Sequence, residues 1–272
     1  MSKVFCIDIS KCSGCYNCQL ACKDEHCGND WTPIAKPQPE IGQFWIKVNE
    51  YVCGTTPKVR MHYVPTLCNH CEKAACLDVC PDNAIYRDDN GLIIIDPVKC
   101  TGCKKCQEAC PYCAIYWNDE LNVAQKCTGC KHLLDNGYKL PRCVEACPMD
   151  AMTYGDEDDE AIKDLTEGAV VMQPEYGLYP KVYYRNIPGK FIAGTVYDPV
   201  SKEVVIGAKV RINNGYKTWR AVTNGYGDFW FNDLAIGLYD LVIEAEGYEI
   251  KAFENIRTRE SVNMGDIALT GL

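Results

Sequence analysis

Short stretches in which apolar and polar residues alternate recur along the chain, and they predict strands. Residues 44–48 and 59–64 alternate in the manner of a paired hairpin. Towards the end of the chain, residues 194–198, 207–212 and 223–231 alternate again, with glycine-containing turns between strands at intervals of about 8–12 residues. This second region predicts a small all-β sandwich or barrel.

The longest uninterrupted aliphatic run, residues 92–95, is far too short to span a bilayer, so we expect no membrane span. Residues 1–5 lead directly into a strand before Cys12 and leave no room for the apolar region of a signal peptide. We therefore expect a cytoplasmic protein. Export together with a partner that carries a twin-arginine signal is left open.

Sixteen of the 20 cysteines form four sets of four, called quartets below, and no cysteine follows Cys147. Three quartets match or approach the C-x2-C-x2-C-x3-C run that binds [4Fe–4S] clusters. Four clusters follow from the ligand count, and three are an alternative because the first quartet lacks a proline after its last cysteine and the fourth has an unusual spacing. The predicted iron ligands are Cys12, Cys15, Cys18, Cys22, Cys68, Cys71, Cys76, Cys80, Cys100, Cys103, Cys106, Cys110, Cys127, Cys130, Cys143 and Cys147.

Two other cysteine chemistries compete with this interpretation. Disulfide frameworks are typical of short secreted chains, and this chain of 272 residues shows neither property. Zinc sites use paired C-x2-C knuckles that are well separated, and the fourth quartet, with Cys127 and Cys130 far from Cys143, has that form. The other quartets are too compact for it.

A proline follows the last cysteine of three quartets, as Pro81, Pro111 and Pro148, and a short apolar strand start comes next. In two-cluster ferredoxins, three cysteines of such a run bind one cluster and the fourth binds its neighbour. This cross-ligation predicts four sites, A to D. Site A is Cys12, Cys15, Cys18 and Cys147; site B is Cys127, Cys130, Cys143 and Cys22; site C is Cys68, Cys71, Cys76 and Cys110; site D is Cys100, Cys103, Cys106 and Cys80.

The predicted fold class is α+β, with two ferredoxin-like cluster-binding modules followed by the small all-β sandwich or barrel. The predicted boundaries are 1–155 for the ferredoxin-like domain, with a β-hairpin insert at about 40–65, then 156–189 for a linker and docking segment, and 190–272 for the sandwich. Because ligand cysteines replace ordinary packing, the first domain is expected to need its metal for folding.

Four cysteines remain outside the quartets and are expected to pack as small apolar side chains: Cys6, Cys27, Cys53 and Cys113. The four histidines have no paired ligand spacing. Of these, His70 and His132 lie inside ligand loops, where a hydrogen bond to a cluster is expected.

The formal net charge of −9 argues against nucleic acid as a partner. Lys11, Lys99 and Lys126 each directly precede the first cysteine of a quartet, and Lys104 and Lys105 lie inside one. Two interpretations of these lysines are open. They compensate the negative charge of the clusters and raise the reduction potentials, or they are solvated surface residues.

The order of the quartets, with a hairpin before the Leu67-Cys68-Asn69-His70-Cys71 loop, resembles one family. These are the four-cluster electron-transfer subunits of molybdenum and tungsten bis-pterin enzymes, the dimethyl sulfoxide reductase superfamily. The resemblance covers residues 1–188. The tail departs from most of the family, and its Gly-x-Val-x-Asp at 194–198 and Gly-Ala-x-Val at 207–210 are similar to carboxypeptidase regulatory-like or collagen-adhesin B-type domains.

The resemblance implies a non-catalytic subunit in a heterodimer. The larger partner would bind molybdenum bis(molybdopterin guanine dinucleotide) and the substrate. A subunit with such a tail resembles the hydroxytransferase branch of the family, in which the clusters would poise or support the molybdenum site. An electron-transfer subunit of another molybdenum or tungsten oxidoreductase and a free-standing polyferredoxin are the alternatives. No acid–base or nucleophilic constellation stands out in the sequence, so no catalytic residue is assigned.

Overall fold

The computed structural model describes residues 2–272 and divides the chain into two compact units. The first unit contains the residues through Glu50 together with His62–Ile187. The second contains Tyr51–Met61 together with Pro188–Leu272. The second unit is therefore discontinuous in sequence.

The cysteine-rich unit is built from short helices and short strands. In chain order, these elements and the hairpin strands β2 and β3 are β1 (Lys3–Asp8), α1 (Asn17–His26), β2 (Ile46–Thr55), β3 (Lys58–Leu67), α2 (Ala75–Asp78), β4 (Ile85–Arg87), β5 (Ile93–Ile95), α3 (Lys105–Ala109), β6 (Tyr116–Asn118), β7 (Val123–Gln125), α4 (Lys131–Asp135), α5 (Arg142–Glu145), β8 (Met152–Asp156), α6 (Glu160–Thr166), β9 (Val170–Val171), a 3₁₀ turn (Pro174–Tyr176) and β10 (Val182–Arg185). No helix within residues 2–272 has both the length and the apolar character that a bilayer crossing requires.

Strand β1 lies inside the four-stranded sheet of this unit. It pairs antiparallel with β8 and parallel with β10, so the chain returns to its first strand after the last quartet. Phe5 and Ile7 of β1 are almost completely buried, and Lys3 forms an ion pair with Asp156 of β8 at 2.8 Å. The sheet thus holds together segments that lie about 150 residues apart in sequence.

Two small antiparallel hairpins follow the second and third quartets. Strand β4 pairs with β5, and β6 pairs with β7. Ile93 and Ile94 of β5 are at most 1% exposed, and Ile85 of β4 is also buried. These strands begin within a few residues of the prolines at positions 81 and 111, so the predicted order of ligand loop, helix, proline and strand is present in the chain.

The second unit contains two packed sheets. Its strands are β11 (Lys190–Tyr197), β12 (Lys209–Asn213), β13 (Thr218–Val222), β14 (Asp228–Leu234), β15 (Leu238–Glu244), β16 (Lys251–Arg257) and β17 (Val262–Ala268). One sheet has the order β14-β11-β17 and the other the order β13-β12-β15-β16. Alternate residues such as Val210, Ile212, Leu241 and Ile243 are buried between the sheets, as in β-sandwiches. The predicted α+β class with an all-β tail is confirmed.

The tip of the β2–β3 hairpin belongs to the sandwich unit. Lys58 of the tip forms an ion pair with Asp228 of β14, and Asp228 also accepts a hydrogen bond from Thr195 at 2.8 Å. Asn263 donates to the backbone oxygen of Thr55 at 3.0 Å. The side chain of Lys58 is only 8% exposed, so its ammonium group depends on Asp228 for a counter-charge.

We expect Asp228→Ala to loosen the hairpin tip. The substitution leaves the buried ammonium of Lys58 without its carboxylate, which costs about 2–3 kcal/mol when one partner is partly exposed. Amide hydrogen exchange in residues 51–61 should become roughly 30- to 100-fold faster, measured by mass spectrometry on the whole chain. Glu244→Ala is the control, because it removes an exposed ion pair with Arg211 in the same unit. Equal effects of the two substitutions would contradict the expectation.

Candidate metal centres

Three of the four quartets begin with the same tight turn, Cys-x-Gly-Cys. Gly14, Gly102 and Gly129 occupy its third position, each with a positive φ between 61° and 81° that favours glycine. In the fourth quartet, the amide of Gly129 donates to the sulfur of Cys127 at 3.4 Å. In the first quartet, the backbone of Gly14 likewise hydrogen-bonds the sulfur of Cys12, so the turn directs a backbone N–H at the first cysteine, as a thiolate ligand requires.

His70 occupies the glycine position of this turn in the second quartet, with a φ of 42°. Its ring is 1% exposed, and its Nδ1 accepts a hydrogen bond from the amide of Ile93 at 3.0 Å. The proton of a neutral ring is therefore on Nε2. Burial lowers the pKa of His70 well below its usual value, so the ring is neutral at neutral pH. The predicted hydrogen bond of His70 to a cluster stays a prediction, and its ring also anchors the loop to β5.

A second repeated turn follows the last cysteine of three quartets. Asn83, Cys113 and Asp150 each lie three residues after that cysteine and have a φ between 47° and 51°. The next amide then points back at the sulfur, and Ala151 donates to Cys147 at 3.3 Å. Cys113 thus occupies the turn position that asparagine and aspartate fill in the other two quartets, and not a predicted ligand position.

We expect Cys113→Asn to leave the iron content unchanged. Cys113 is exposed and holds a left-handed backbone that asparagine adopts readily, so the free energy of unfolding should change by less than about 1 kcal/mol. Iron and sulfide analysis of the anaerobically purified protein checks this. Cys110→Asn is the matched substitution at a predicted ligand and should lose iron. If Cys113→Asn loses as much iron as Cys110→Asn, the ligand assignment of site C is wrong.

The structure brings the cysteines together in the four cross-ligated sets. Burial and then the nearby thiols of Cys12, Cys147 and Cys15 raise the pKa of Cys18 to about 12. The corresponding sets for the other sites are as follows. In site B, the pKa of Cys143 is raised by burial and then by the thiols of Cys130, Cys127 and Cys22. In site C, the pKa of Cys71 is raised to about 12 by burial and then by the thiols of Cys68, Cys76 and Cys110. In site D, the pKa of Cys106 is raised to about 11 by burial and then by the thiols of Cys100, Cys103 and Cys80.

Two of these sets line cavities. The cysteines of site C surround one cavity together with Ile93, Ala114 and Lys126, and those of site D surround another together with Ile85 and Ala124. Within residues 2–272, no three side chains of His, Cys, Asp or Glu converge at the spacing of a single metal ion. Four thiols around a partly apolar cavity fit the donor set of a [4Fe–4S] cluster. The role of the sixteen cysteines as ligands stays a prediction.

Electrostatic interactions between thiols of different sets indicate which sites are neighbours in an array. The thiols of Cys106 in site D and Cys76 in site C interact, as do those of Cys68 in site C and Cys127 in site B. Site B in turn adjoins site A, because Cys18 raises the pKa of Cys143. The order is therefore A–B–C–D.

Exposure differs along the array. All four cysteines of site B are buried, whereas Cys15 of site A and Cys103 of site D are exposed. Within residues 2–272, Cys71 and Cys110 of site C are partly exposed, so the fully exposed predicted ligands belong to the two end sites.

A polar network surrounds site B. Glu25 of α1 accepts a hydrogen bond from Nε2 of His132 at 3.0 Å and lies 3.3 Å from Nε of Arg142. These contacts tie α1, which carries Cys22, to α4 and α5, which carry or adjoin the other ligands of site B. The cysteine spacing alone could not reveal this network, because its members come from three separate helices.

His26 is a second buried imidazole at site B. Its Nδ1 donates to the backbone oxygen of Cys22 at 2.9 Å, and burial lowers its pKa to about 4. Its ring packs against Trp45 and His132, with centroid distances of 4.6 and 5.3 Å. His26 therefore fixes the end of α1 as a neutral side chain at neutral pH.

Comparisons with known proteins agree with this architecture. The model of the 4Fe-4S dicluster domain matches residues 59–157, and that of the carboxypeptidase regulatory-like domain matches residues 192–270. The pyrogallol hydroxytransferase small subunit of Pelobacter acidigallici is 36% identical over 97% of this chain and 97% of that protein. The chain belongs to the iron–sulfur subunits of the dimethyl sulfoxide reductase superfamily.

Other members of this family of iron–sulfur subunits cover about two thirds of the chain. A tetrathionate reductase subunit of Archaeoglobus fulgidus is 37% identical over 68% of this chain and 83% of that protein. The arsenate respiratory reductase iron-sulfur subunit of Shewanella sp. is 34% identical over 65% of this chain and 93% of that protein. The family resemblance inferred from the quartets is confirmed.

Proposed function

We propose that this chain is the iron–sulfur subunit of a molybdopterin-dependent hydroxytransferase that converts pyrogallol to phloroglucinol. The observation that carries the proposal is the extent of the similarity to a pyrogallol hydroxytransferase small subunit, which covers 97% of both chains and therefore reaches through the sandwich. In the proposal, molybdenum bis(molybdopterin guanine dinucleotide) and the substrate are held by a larger partner chain. The heterodimer is cytoplasmic.

In the proposed enzyme, the role of this chain is to bind four [4Fe–4S] clusters in a fixed order. Clusters of this type store and pass single electrons when bound. The glycine turns direct backbone amides at the cysteine sulfurs, and burial of all four cysteines of site B keeps water away from that site. The exposed cysteines at positions 15 and 103 leave both ends accessible to a partner.

Pyrogallol and phloroglucinol are isomers, so the proposed reaction needs no net electron flow. The array would then set the oxidation state of the molybdenum site instead of supplying electrons in each turnover. A substrate site on this chain is not part of the proposal.

The test begins with purification of the tagged chain from its native host under anaerobic conditions. The expected result is a stoichiometric larger subunit, molybdenum, and about sixteen irons per copy of this chain. The complex should form phloroglucinol from pyrogallol without an added electron acceptor, measured by chromatography. A complex that oxidises or reduces a substrate with a dye but never isomerises pyrogallol would overturn the proposal.

That outcome would favour the second candidate, an electron-transfer subunit of another molybdenum or tungsten oxidoreductase. The observation in its favour is the similarity to subunits of tetrathionate and arsenate reductases. A lone monomer without a larger subunit would contradict both candidates and favour a free-standing polyferredoxin.

A further inference from the structure

Three lysines have the same place in the sequence and different surroundings in the structure. Lys11, Lys99 and Lys126 each precede the first cysteine of a quartet. Lys11 and Lys99 are exposed, with 62% of the Lys99 side chain open to solvent. Lys126 is 2% exposed. The solvated interpretation therefore applies to Lys11 and Lys99, and Lys126 requires another explanation.

The ammonium group of Lys126 has hydrogen-bond acceptors and no counter-charge from the protein. It donates to the backbone oxygen of Cys127 at 2.9 Å and to that of Ile93. Within residues 2–272, no carboxylate lies within ion-pairing distance of this ammonium, although several other lysines have such partners. A buried charge without a counter-ion is strongly unfavourable. The buried ammonium of Lys126 therefore requires an anion beside it.

The position of Lys126 identifies that anion. Its side chain lines the cavity of site C, and its neighbour in sequence, Cys127, belongs to site B. Burial raises the pKa of the thiols of Cys76 and Cys127, and the charge of Lys126 acts in the opposite direction on both. The ammonium thus lies at the junction of the two inner sites of the array.

We propose that Lys126 is the counter-cation shared by the clusters of sites B and C, and that its charge raises their reduction potentials. This rests on the proposed function only in requiring that the two sites hold clusters. An oxidised [4Fe–4S] cluster with four thiolates carries about two negative charges, and reduction adds one more. A fixed cation close to both sites stabilises the reduced state more than the oxidised state. Electrons in the array would then reside preferentially in its two inner sites.

The experiment compares Lys126→Gln, Lys126→Arg and Lys99→Gln in the anaerobically purified complex. Glutamine keeps a hydrogen-bond donor and removes the charge, arginine keeps the charge, and Lys99→Gln removes a charge with the same sequence context at the surface. Reduction is followed by EPR spectroscopy at controlled potentials. For Lys126→Gln, we expect at least a tenfold lower ratio of reduced to oxidised cluster at a given potential, which is a shift of 59 mV for one electron. Lys126→Arg and Lys99→Gln should shift by much less.

The other outcomes separate an effect of the charge of Lys126 from an effect of the size and shape of its side chain. Unchanged potentials in Lys126→Gln with full iron content would overturn the proposal. Loss of iron in Lys126→Gln but not in Lys126→Arg would support it, because the charge would then be needed for assembly. Equal iron loss in both would contradict it. Iron and sulfide analysis of the wild-type complex separately tests the clusters, and the pyrogallol assay separately tests the proposed function.

Discussion

Cys22→Ala is expected to remove the cluster of site B and to leave the clusters of sites A, C and D in place. The reason is cross-ligation: Cys22 belongs to the first quartet in sequence, but its thiol lies with those of Cys127 and Cys130. A [4Fe–4S] cluster requires four thiolates, so the iron content should fall from about sixteen to about twelve atoms per chain. Iron and sulfide analysis and the EPR spectrum of the reduced protein measure the loss.

Two further substitutions make this expectation specific. Cys130→Ala lies in another quartet and should remove the same EPR component as Cys22→Ala. Cys18→Ala lies on the same helix as Cys22 and should remove a different component, since Cys18 interacts with Cys12 and Cys147. If Cys22→Ala and Cys18→Ala remove the same component, each quartet binds its own cluster and the cross-ligated assignment fails.

Gly129→Ala should destabilise the same region without removing a ligand. A Cβ at this position would lie 2.8 and 2.9 Å from the two methyl groups of Leu92, which is completely buried, and the φ of 61° is unfavourable for alanine. Left-handed strain and overpacking each cost about 1–3 kcal/mol, so we expect a loss of about 3 kcal/mol in the free energy of unfolding. Urea unfolding of the iron-loaded protein under anaerobic conditions measures it.

Gly137→Ala is the matched control for backbone strain. Gly137 has a φ of 87°, is exposed, and has no atom within 4 Å of an added Cβ, so only about 1 kcal/mol of strain is expected. In a Leu92→Ala background, Gly129→Ala should become less costly, because the space that the methyl groups occupied is empty. A cost for Gly129→Ala no larger than that for Gly137→Ala would show that packing against Leu92 is unimportant.

The cysteine pattern carries enough information for the arrangement of the candidate sites. Spacing and the prolines after the last cysteines predicted which residues meet, and the structure places Cys147 with Cys12 and Cys22 with Cys127. This works because metal ligands are few, chemically distinct and held in loops of fixed length. The sandwich was predictable for a similar reason, since its strands alternate with a period of two that depends on local sequence.

The surroundings of the sites could not be predicted in the same way. Lys11, Lys99 and Lys126 have the same local sequence context, but Lys11 and Lys99 are exposed whereas Lys126 is buried and donates a hydrogen bond to the backbone oxygen of Ile93 in β5. That His70 replaces the glycine of the Cys-x-Gly-Cys turn can be seen in the sequence only when the turns of the four quartets are aligned. Its contact with the amide of Ile93 depends on tertiary structure.

The hairpin shows a further limit of sequence patterns. Alternation in residues 44–48 and 59–64 predicted paired strands, and β2 and β3 confirm them. Nothing in that alternation indicates that residues 51–61 would pack with strands that begin after residue 188. The contacts of Lys58 and Thr55 with the sandwich join segments about 170 to 208 residues apart, and such distances lie beyond any local pattern.

The discontinuous second unit has a practical consequence for protein engineering. A recombinant fragment that ends near residue 187 would not be a complete smaller protein, because it would retain residues 51–61 and lose the strands on which they pack. A fragment that starts at residue 188 would lack the hairpin tip and leave Asp228 without Lys58. A usable sandwich fragment would have to include residues 51–61, for example joined to its N-terminus by a flexible linker.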